Sequence, residues 1–270
     1  MRPKVLVLTG YGVNCDEETQ FVFNRVGAQA EIVHINDLID GRKKLKDYQI
    51  LAFPGGFSYG DDTGSGIALA NKIRDNIWKD VEAFVKKDNL VIGICNGFQV
   101  LVNLGLLPAL QFKYGTRQAA LSHNDSARYI DRWVDLEVTG KGPWLKGLKK
   151  MSVPIAHGEG KFFCEPKVLK ELKAKKLIAF KYVNGEMCNY QNLPVNPNGA
   201  LENIAGITDE SGRVLGLMPH PERAMDFTQL PNWPWLKEKL QREKKPLPKE
   251  GPGLQLFKNA VSYFGGVESV

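Results

Sequence analysis

The feature that most constrains this chain is a short apolar run that leads directly into a cysteine between glycines. Leu90–Ile94 is apolar apart from Gly93, and Cys95-Asn96-Gly97 follows at once, ahead of apolar residues at helical spacing. A strand turns this tightly into a helix where small residues flank the turn, and the turn then presents its central side chain. The motif predicts an α/β fold with Cys95 at the carboxyl end of a strand. Cys95 is then a nucleophile or, alternatively, a buried structural cysteine.

Strands and helices alternate through the first half of the chain. Three further apolar runs predict strands, at Val5–Leu8, Glu31–Ile35 and Gln49–Phe53. Between residues 66 and 87 the apolar side chains recur at helical spacing. Asn14 and Glu17 resemble a capping box, which predicts that Asn14 caps the first helix. The alternation predicts a three-layer, doubly wound, mainly parallel sheet, with functional residues at the carboxyl ends of its strands.

The length of the chain favours one domain. A chain of 270 residues suits a single α/β domain over residues 1–270 better than two independent domains. In the second half, Ile204–Thr208 and Arg213–Met218 are joined by a Gly-containing turn, which predicts a hairpin. Residues 226–253 contain five prolines and several lysines. We interpret this stretch as a long loop with one or two helical turns, inserted into the domain, and a loop of that length is usually functional or mobile.

Composition narrows the classes of partner. Apolar residues make up 43% of the chain and charged residues 24%, which is typical of a folded globular protein. The formal charge of +6 comes mostly from lysines that alternate with glutamates, so we expect a solvated surface or a basic face for an acidic protein partner. We expect no nucleic-acid surface, because interleaved basic and aromatic residues are missing. The apolar runs are far shorter than the roughly 20 residues of a membrane span, and we expect no membrane contact and a cytoplasmic location.

The cysteines give no sign of a metal or disulfide framework. The four are widely spaced and include no CxxC pair: Cys15, Cys95, Cys164 and Cys188. Such spacing in a chain of this size is typical of neither a zinc site nor a disulfide scaffold, and we expect no metal. Of the four cysteines, Cys95 alone lies in a motif that is typical of a catalytic nucleophile. We interpret the other three cysteines as packing residues.

The segment Met218-Pro-His-Pro-Glu222 supplies a base for a nucleophile. Pro221 favours an extended backbone at His220. In an extended chain, residues i and i+2 point to the same side, roughly 6.6 Å apart, so the Glu222 carboxylate can reach the His220 ring and fix its tautomer. The other ring nitrogen then faces a thiol, as in a nucleophile–base–orienter triad. A lone histidine on a strand is more often structural, but the elbow upstream favours catalysis.

A glycine-rich segment follows the predicted strand that ends at Phe53. Residues 54–61 read PGGFSYGD and contain neither a P-loop nor a GxGxxG pattern. Seen alone, the segment could be a simple turn. At a strand end near the elbow, however, its backbone N–H groups could form half of an oxyanion hole, with the N–H of Asn96 as the other half.

Taken together, these motifs resemble the class I (triad) glutamine amidotransferases, which have a flavodoxin-like fold. A finer resemblance is to the glutaminase subunits of phosphoribosylformylglycinamidine synthases, through GICNGFQ at 93–99, PIAHGEG at 154–160, NPNG at 196–199 and MPHPERA at 218–224. The resemblance implies a catalytic triad of Cys95, His220 and Glu222. It also implies an oxyanion and substrate site formed by Gly56, Phe57, Asn96, Gln99 and His157. His157 is equally well read as part of a structural loop.

The resemblance also implies partners. The substrate would be glutamine, and ammonia would pass to a separate synthetase subunit, in a complex with or without a third small subunit. No cofactor is expected on this chain, so ATP and Mg²⁺ would bind the synthetase. Residues 62–66 and 226–253 depart from the pattern of this family and leave the mode of docking open. Alternatives are another class I amidotransferase, a stand-alone γ-glutamyl hydrolase, or a non-catalytic scaffolding module of the same fold.

Overall fold

The computed structural model describes residues 2–265. Within this range the strands are β1 Lys4–Thr9, β2 Gln29–His34, β3 Ile50–Phe53, β4 Leu90–Ile94, β5 Ala119–Ser122, β6 Ile130–Val138, β7 Lys150–His157, β8 Lys161–Cys164, β9 Ile178–Val183, β10 Ile204–Thr208 and β11 Val214–Leu217. The α-helices are α1 Asp16–Arg25, α2 Ile35–Ile39, α3 Ile67–Lys86, α4 Asn96–Asn103, α5 Pro166–Ala174, α6 Glu186–Gln191, α7 Trp233–Arg242 and α8 Leu254–Tyr263.

One large sheet organises the molecule. It has nine strands in the order β2-β1-β3-β4-β11-β10-β9-β6-β7, and β5 and β8 form a separate two-stranded sheet. The first five strands of the large sheet pair in parallel. Beyond β11 the pairings are antiparallel, beginning with the predicted β10–β11 hairpin. The predicted α/β fold is confirmed. Cys95 lies at the carboxyl end of β4, within the parallel half of the sheet.

Helices cover both faces of the parallel half. Helix α1 packs on β1, β2 and α8, whereas α4 packs on β3, β4 and β11 and against α3. Right-handed crossovers place these two sets on opposite faces, because the chain moves from β1 outwards to β2 but in the other direction from β3 to β4. Strands β3 and β4 are therefore buried on both sides, which explains why every residue in them is buried and apolar or glycine.

The start of α1 differs from the prediction. Cys15, not Asn14, occupies the N-cap position, and no side chain caps the helix there. The backbone N–H groups of Asn14 and Cys15 both donate to the Gly55 carbonyl, at 3.3 and 3.2 Å. The predicted capping box is thus wrong, because pairing with the glycine-rich turn fixes this segment instead. The same pairing brings Cys15 to the carboxyl edge of the sheet.

Residues 226–253 are more helical than predicted. Helix α7 has 10 residues, none of them buried, so it lies on the surface of the domain. The segment is attached at its start, where Arg25 donates to Asp226 at 2.6 and 2.8 Å. Asn232 Nδ2 also donates to Glu186 at 3.0 Å. Among residues 2–265, no helix combines the length and the apolar character needed to cross a membrane.

Candidate active site

Cys95 lies in a strained turn between β4 and α4. Its backbone has φ 51° and ψ −108°, a combination that non-glycine residues rarely adopt and that marks functional turns. The glycines on either side are required by space: a Cβ on Gly97 would lie 1.9 Å from the Phe53 carbonyl oxygen, and one on Gly93 would lie 2.6 Å from that of Gly97. The N–H of Cys95 donates to the Leu217 carbonyl at 2.8 Å. The elbow is therefore held rigidly against its neighbouring strands.

His220 and Glu222 form a buried pair just after β11. The Nδ1 atom of His220 lies 2.6 Å from Oε1 of Glu222, and the two residues are 2% and 0% exposed. The N–H of His220 donates to the Pro154 carbonyl at 2.8 Å, which anchors the segment on β7. Burial opposes charge on the His220 ring, but the Glu222 carboxylate and the Cys95 sulfur favour it more. Together they hold the pKa of His220 well above its ordinary value.

The base and the nucleophile meet at Gly55. A Cβ placed on Gly55 would lie 2.8 Å from Cε1 of His220 and 3.5 Å from Cβ of Cys95. The Cys95 Sγ is itself 3.7 Å from the Ala156 carbonyl oxygen at the end of β7. The structure thus brings together the three residues of the predicted triad, from the carboxyl ends of two adjacent parallel strands, β4 and β11. A side chain at position 55 would displace the His220 ring.

Cys15 is a neighbour of this pair that the sequence did not predict. Its Sγ, a ring nitrogen of His220 and a carboxylate oxygen of Glu222 all lie within 4.8 Å of one another. The Arg223 Nη2 atom donates to Cys15 Sγ at 3.0 Å and to Glu18 Oε1 at 3.1 Å. Burial raises the pKa of the Cys15 thiol. The available signal was the position of Cys15 just after the turn that follows β1, at the same edge of the sheet as Cys95.

The glycine-rich turn is paired with the segment before α1. Val13 and Gly56 form an antiparallel bridge. On either side of that bridge, Phe57 N–H donates to the Gly12 carbonyl at 2.7 Å and Asn14 N–H donates to Gly55. In such a pair the flanking residues use their backbone groups, whereas the N–H of the central residue points away from the partner segment. The Gly56 N–H therefore remains available for a ligand, and the Phe57 N–H does not.

Asn96 and Gln99 belong to one buried network at the start of α4. The Asn96 Nδ2 donates to Gln99 Oε1 at 2.9 Å and to Asp61 Oδ1 at 3.2 Å. Gln99 Nε2 donates to the Glu159 carbonyl at 2.6 Å. Burial, with the nearby Glu159 carboxylate, raises the pKa of Asp61 even though Ser65 and Asn96 donate to it. Both ends of the Gln99 amide are used within the protein, so this residue connects the elbow to the turn at residues 157–160.

His157 lies beneath that same turn. The ring is 2% exposed, and its Nδ1 atom lies 3.2 Å from Asn124 Oδ1. A Cβ on Gly160 would lie 2.2 Å from the ring, so the turn closes directly over it. Burial, together with the positive charge of His220, lowers the pKa of His157 to about 3. His157 is thus held neutral and supports the turn.

Two aromatic side chains stand at the mouth of the site. The rings of Phe57 and Tyr129 have centroids 6.1 Å apart, and the residues are 42% and 52% exposed. Burial, with a smaller contribution from the Cys95 sulfur, raises the pKa of Tyr129. Tyr129 was not predicted as a site residue.

Comparison with known proteins agrees with this geometry. Residues 2–264 match the family described as the CobB/CobQ-like glutamine amidotransferase domain. The phosphoribosylformylglycinamidine synthase subunit PurQ of Methanococcus maripaludis strain C5 is 50% identical over 268 residues, covering 98% of this chain and 99% of the relative. The subunit of the same name from Dehalococcoides mccartyi is 41% identical over 262 residues, covering 96% of this chain and 97% of the relative.

A solved structure gives the same result. A chain in the structure of PurLQS from Thermotoga maritima superposes with a TM-score of 0.72 at 29% identity, covering 98% of this chain and 100% of that chain. The family match spans almost all of the residues that the structure describes, and the relatives are similar in sequence over nearly their whole length. The resemblance seen in the sequence is confirmed, and the chain belongs to the CobB/CobQ-like glutamine amidotransferase family.

Proposed function

We propose that this chain is the glutaminase subunit of a phosphoribosylformylglycinamidine synthase, acting in the cytoplasm. The observation that carries the proposal is the strained elbow that presents Cys95 beside the buried His220–Glu222 pair, whose Nδ1–Oε1 distance is 2.6 Å. This arrangement has the parts that covalent amide hydrolysis requires: a nucleophile, a base and a group that orients the base. Two relatives named phosphoribosylformylglycinamidine synthase subunit PurQ match over 98% and 96% of the chain.

The first half of the reaction forms a thioester. The raised pKa of His220 favours an imidazolium paired with a Cys95 thiolate. The thiolate attacks the side-chain amide carbon of glutamine and forms a C–S bond, while the carbonyl oxygen gains negative charge. His220 then donates its proton to the amide nitrogen, the C–N bond breaks, and ammonia leaves a γ-glutamyl thioester on Cys95.

The second half regenerates the enzyme. His220, now neutral, accepts a proton from water as the water oxygen attacks the thioester carbon. The C–S bond breaks, glutamate leaves, and the imidazolium–thiolate pair is restored, so that glutamine and water give glutamate and ammonia. Glu222 keeps Nδ1 protonated throughout and stabilises the charged ring.

The oxyanion site follows from the backbone. We assign the Gly56 N–H and the Asn96 N–H as its two donors, since the bridge to Val13 turns the Gly56 N–H away from residues 12–14 and Asn96 is the first residue of α4. A helix N-terminus adds a favourable dipole for negative charge. Gln99 and His157 position the turn at residues 157–160 as the wall of the glutamine pocket, and the exposed Phe57 ring lies at the mouth.

Ammonia is then used by a partner. The synthetase subunit binds ATP and Mg²⁺ and activates the amide oxygen of formylglycinamide ribonucleotide, which ammonia displaces to give the amidine. A third small subunit completes the assembly. The structure of PurLQS from Thermotoga maritima supports a multi-subunit arrangement, since it contains a chain whose fold superposes on 98% of the length of this chain.

The test is to separate glutamine use from ammonia use. The Cys95→Ala variant should lose glutamate release with a cognate synthetase, ATP and formylglycinamide ribonucleotide, while the same mixture supplied with free ammonia should keep forming the amidine. Cys164→Ala, which removes a buried thiol from β8, is the matched control and should behave like the wild type. Loss of ammonia-dependent activity in the Cys95→Ala complex would contradict this division of labour. Strong glutamate release by the chain alone, unaffected by the mixture, would instead indicate a stand-alone hydrolase.

A further inference from the structure

Asn124 holds the turn at residues 157–160 through both its side chain and its backbone. It is 3% exposed, and its Nδ2 atom donates to the His157 carbonyl at 2.8 Å. Its backbone N–H donates to the Gly158 carbonyl at 2.9 Å, and its Oδ1 atom accepts from the Gly160 N–H at 3.1 Å. The same Oδ1 lies 3.2 Å from Nδ1 of His157, and because a carboxamide oxygen only accepts, the neutral ring carries its proton on Nδ1. One asparagine thus fixes three backbone groups of the turn and the tautomer of the ring beneath it.

Asn198 fixes the last carbonyl group of the turn. This residue belongs to the NPNG segment at 196–199, which has no role in the proposed reaction, and it is 1% exposed. Its Nδ2 atom donates to the Gly160 carbonyl at 2.8 Å, and its Oδ1 atom accepts from the Ala200 N–H at 3.0 Å. Its own carbonyl accepts from the Asp125 N–H at 3.1 Å. The two asparagines therefore belong to segments that are bonded to each other as well as to the turn.

Two N–H groups of the turn are left without a protein partner. Gln99 Nε2 donates to the Glu159 carbonyl at 2.6 Å, so each carbonyl group of residues 157–160 accepts from a residue outside the turn. Among the residues that the structure describes, none accepts a hydrogen bond from the N–H of Gly158 or of Glu159, and both residues are half-buried. Successive N–H groups on a turn attract an anion.

We propose that Asn124 and Asn198 are positioning residues of the glutaminase, which hold the turn so that the N–H groups of Gly158 and Glu159 bind the α-carboxylate of glutamine. The inference rests on the proposed function and names the group of the substrate that the turn recognises. At neutral pH the α-carboxyl group is ionised. A turn binds such a group best when its carbonyl dipoles are engaged elsewhere and its donors are fixed before the substrate arrives, which is what the two asparagines achieve.

The lengths of the turn and of the substrate agree. The Ala156 carbonyl oxygen is 3.7 Å from Cys95 Sγ. Five covalent bonds separate that oxygen from the Gly158 nitrogen, so the two atoms are at most about 7 Å apart. In glutamine, four bonds separate the amide carbon that Cys95 attacks from the α-carboxylate carbon, which is roughly 5 Å in an extended side chain. A glutamine whose amide carbon reaches Cys95 therefore has its carboxylate within range of the turn.

The test uses the complex with its synthetase, ATP and formylglycinamide ribonucleotide. Asn198→Asp keeps the oxygen that accepts from Ala200 but loses the donor to Gly160, and Asn198→Ala removes that donor without adding charge. Both variants should raise the KM for glutamine at least about tenfold, because the hydrogen bonds to a charged group are weakened, and should change kcat less than about threefold. The ammonia-dependent rate should equal that of the wild type, which shows that the complex is intact.

Asn196→Asp is the matched control. Asn196 lies in the same segment, but its Nδ2 atom donates to Ala200 and Asn203 and not to the turn, so this variant should keep the wild-type KM. A wild-type KM in both Asn198 variants would overturn the positioning role. An equal rise of KM in Asn196→Asp, or loss of the ammonia-dependent rate in the Asn198 variants, would also overturn it, since either result indicates a structural role only.

The α-amide of L-glutamine, which replaces the carboxylate by a neutral group, tests the ligand. The wild-type complex should use this compound with a kcat/KM at least about tenfold lower than that for glutamine. Equal use of the two compounds would overturn the assignment of the carboxylate. A wild-type complex that never releases glutamate from glutamine would contradict the proposed function itself, whereas the variant results above contradict only this inference.

Discussion

Replacing His157 should change how stability depends on pH. In the folded chain, burial and the charge of His220 lower the pKa of His157 to about 3, whereas an unfolded histidine has a pKa of about 6.5. Below pH 6.5 the unfolded chain therefore binds a proton at this position that the folded chain does not. The stability that the neutral ring contributes is present above pH 6.5 and is lost as the pH falls towards 3.

The magnitude follows from this difference in pKa. At pH 7.5 neither state binds a proton at His157, and at pH 5.0 only the unfolded state does. Linkage at about 1.4 kcal/mol per pH unit then gives a loss of about 2 kcal/mol in the free energy of unfolding between pH 7.5 and 5.0. His220 changes the free energy of unfolding in the opposite sense, because its pKa is raised in the folded chain. Its stabilising contribution is present at low pH and is lost as the pH rises.

The assay compares the free energy of unfolding of the wild type with that of a His157 variant. The contribution of His220 is common to both proteins and cancels in the difference. Urea unfolding of wild type and His157→Gln at pH 7.5 and 5.0 gives the free energy of unfolding for each. The wild type should lose about 2 kcal/mol more than His157→Gln between these values. His123→Gln, which removes a histidine whose side chain is 79% exposed, serves as the control for the loss of a surface histidine. A His157→Gln profile parallel to that of the wild type would show that the folded chain accepts the proton and would refute the reasoning.

Two further predictions concern the elbow and the base. Gly97→Ala should lower the free energy of unfolding by about 1–3 kcal/mol, because the new Cβ would lie 1.9 Å from the Phe53 carbonyl oxygen and push α4 off β3. Thermal melts measure this loss. The control is Gly158→Ala, whose Cβ would meet only a Tyr129 atom, at 4.0 Å. Glu222→Gln should reduce glutamine-dependent kcat at least about a hundredfold and spare ammonia-dependent activity, since an amide can donate to Nδ1 and reverse the tautomer of His220. An unchanged kcat would mean that Glu222 does not orient the base.

The elbow and the base could be predicted because their geometry depends on the spacing of residues that are close in sequence. Gly93 and Gly97 flank Cys95 in the sequence, and the close contacts of both glycines in the structure explain why no larger residue fits there. The i, i+2 spacing of His220 and Glu222 likewise predicted their contact, and the structure gives 2.6 Å between Nδ1 and Oε1. In both cases the distance that matters is set by a few bonds of backbone.

The surroundings of the triad could not be read in this way. Asn14 looked like a helix cap, but the Gly55 carbonyl takes its N–H and that of Cys15, and this pairing moves Cys15 next to His220. The free N–H of Gly56 follows from the same bridge between segments distant in sequence. Because of their prolines, residues 226–253 looked like a loop with one or two helical turns, yet the 10-residue helix α7 forms among them, with Pro234 in its first turn.

By itself, then, the sequence determined the α/β alternation, the strained turn at Cys95 and the His220–Glu222 pair, since each depends on neighbours along the chain. Only the tertiary structure decided that the Cys15 thiol lies next to His220 and that the Gly56 N–H stays free. It also decided that His157 is buried and neutral, with a pKa of about 3. The physical reason is that burial, and the pairing of segments distant in sequence, depend on how strands pack at the carboxyl edge of the sheet. Local propensity and spacing do not specify that packing.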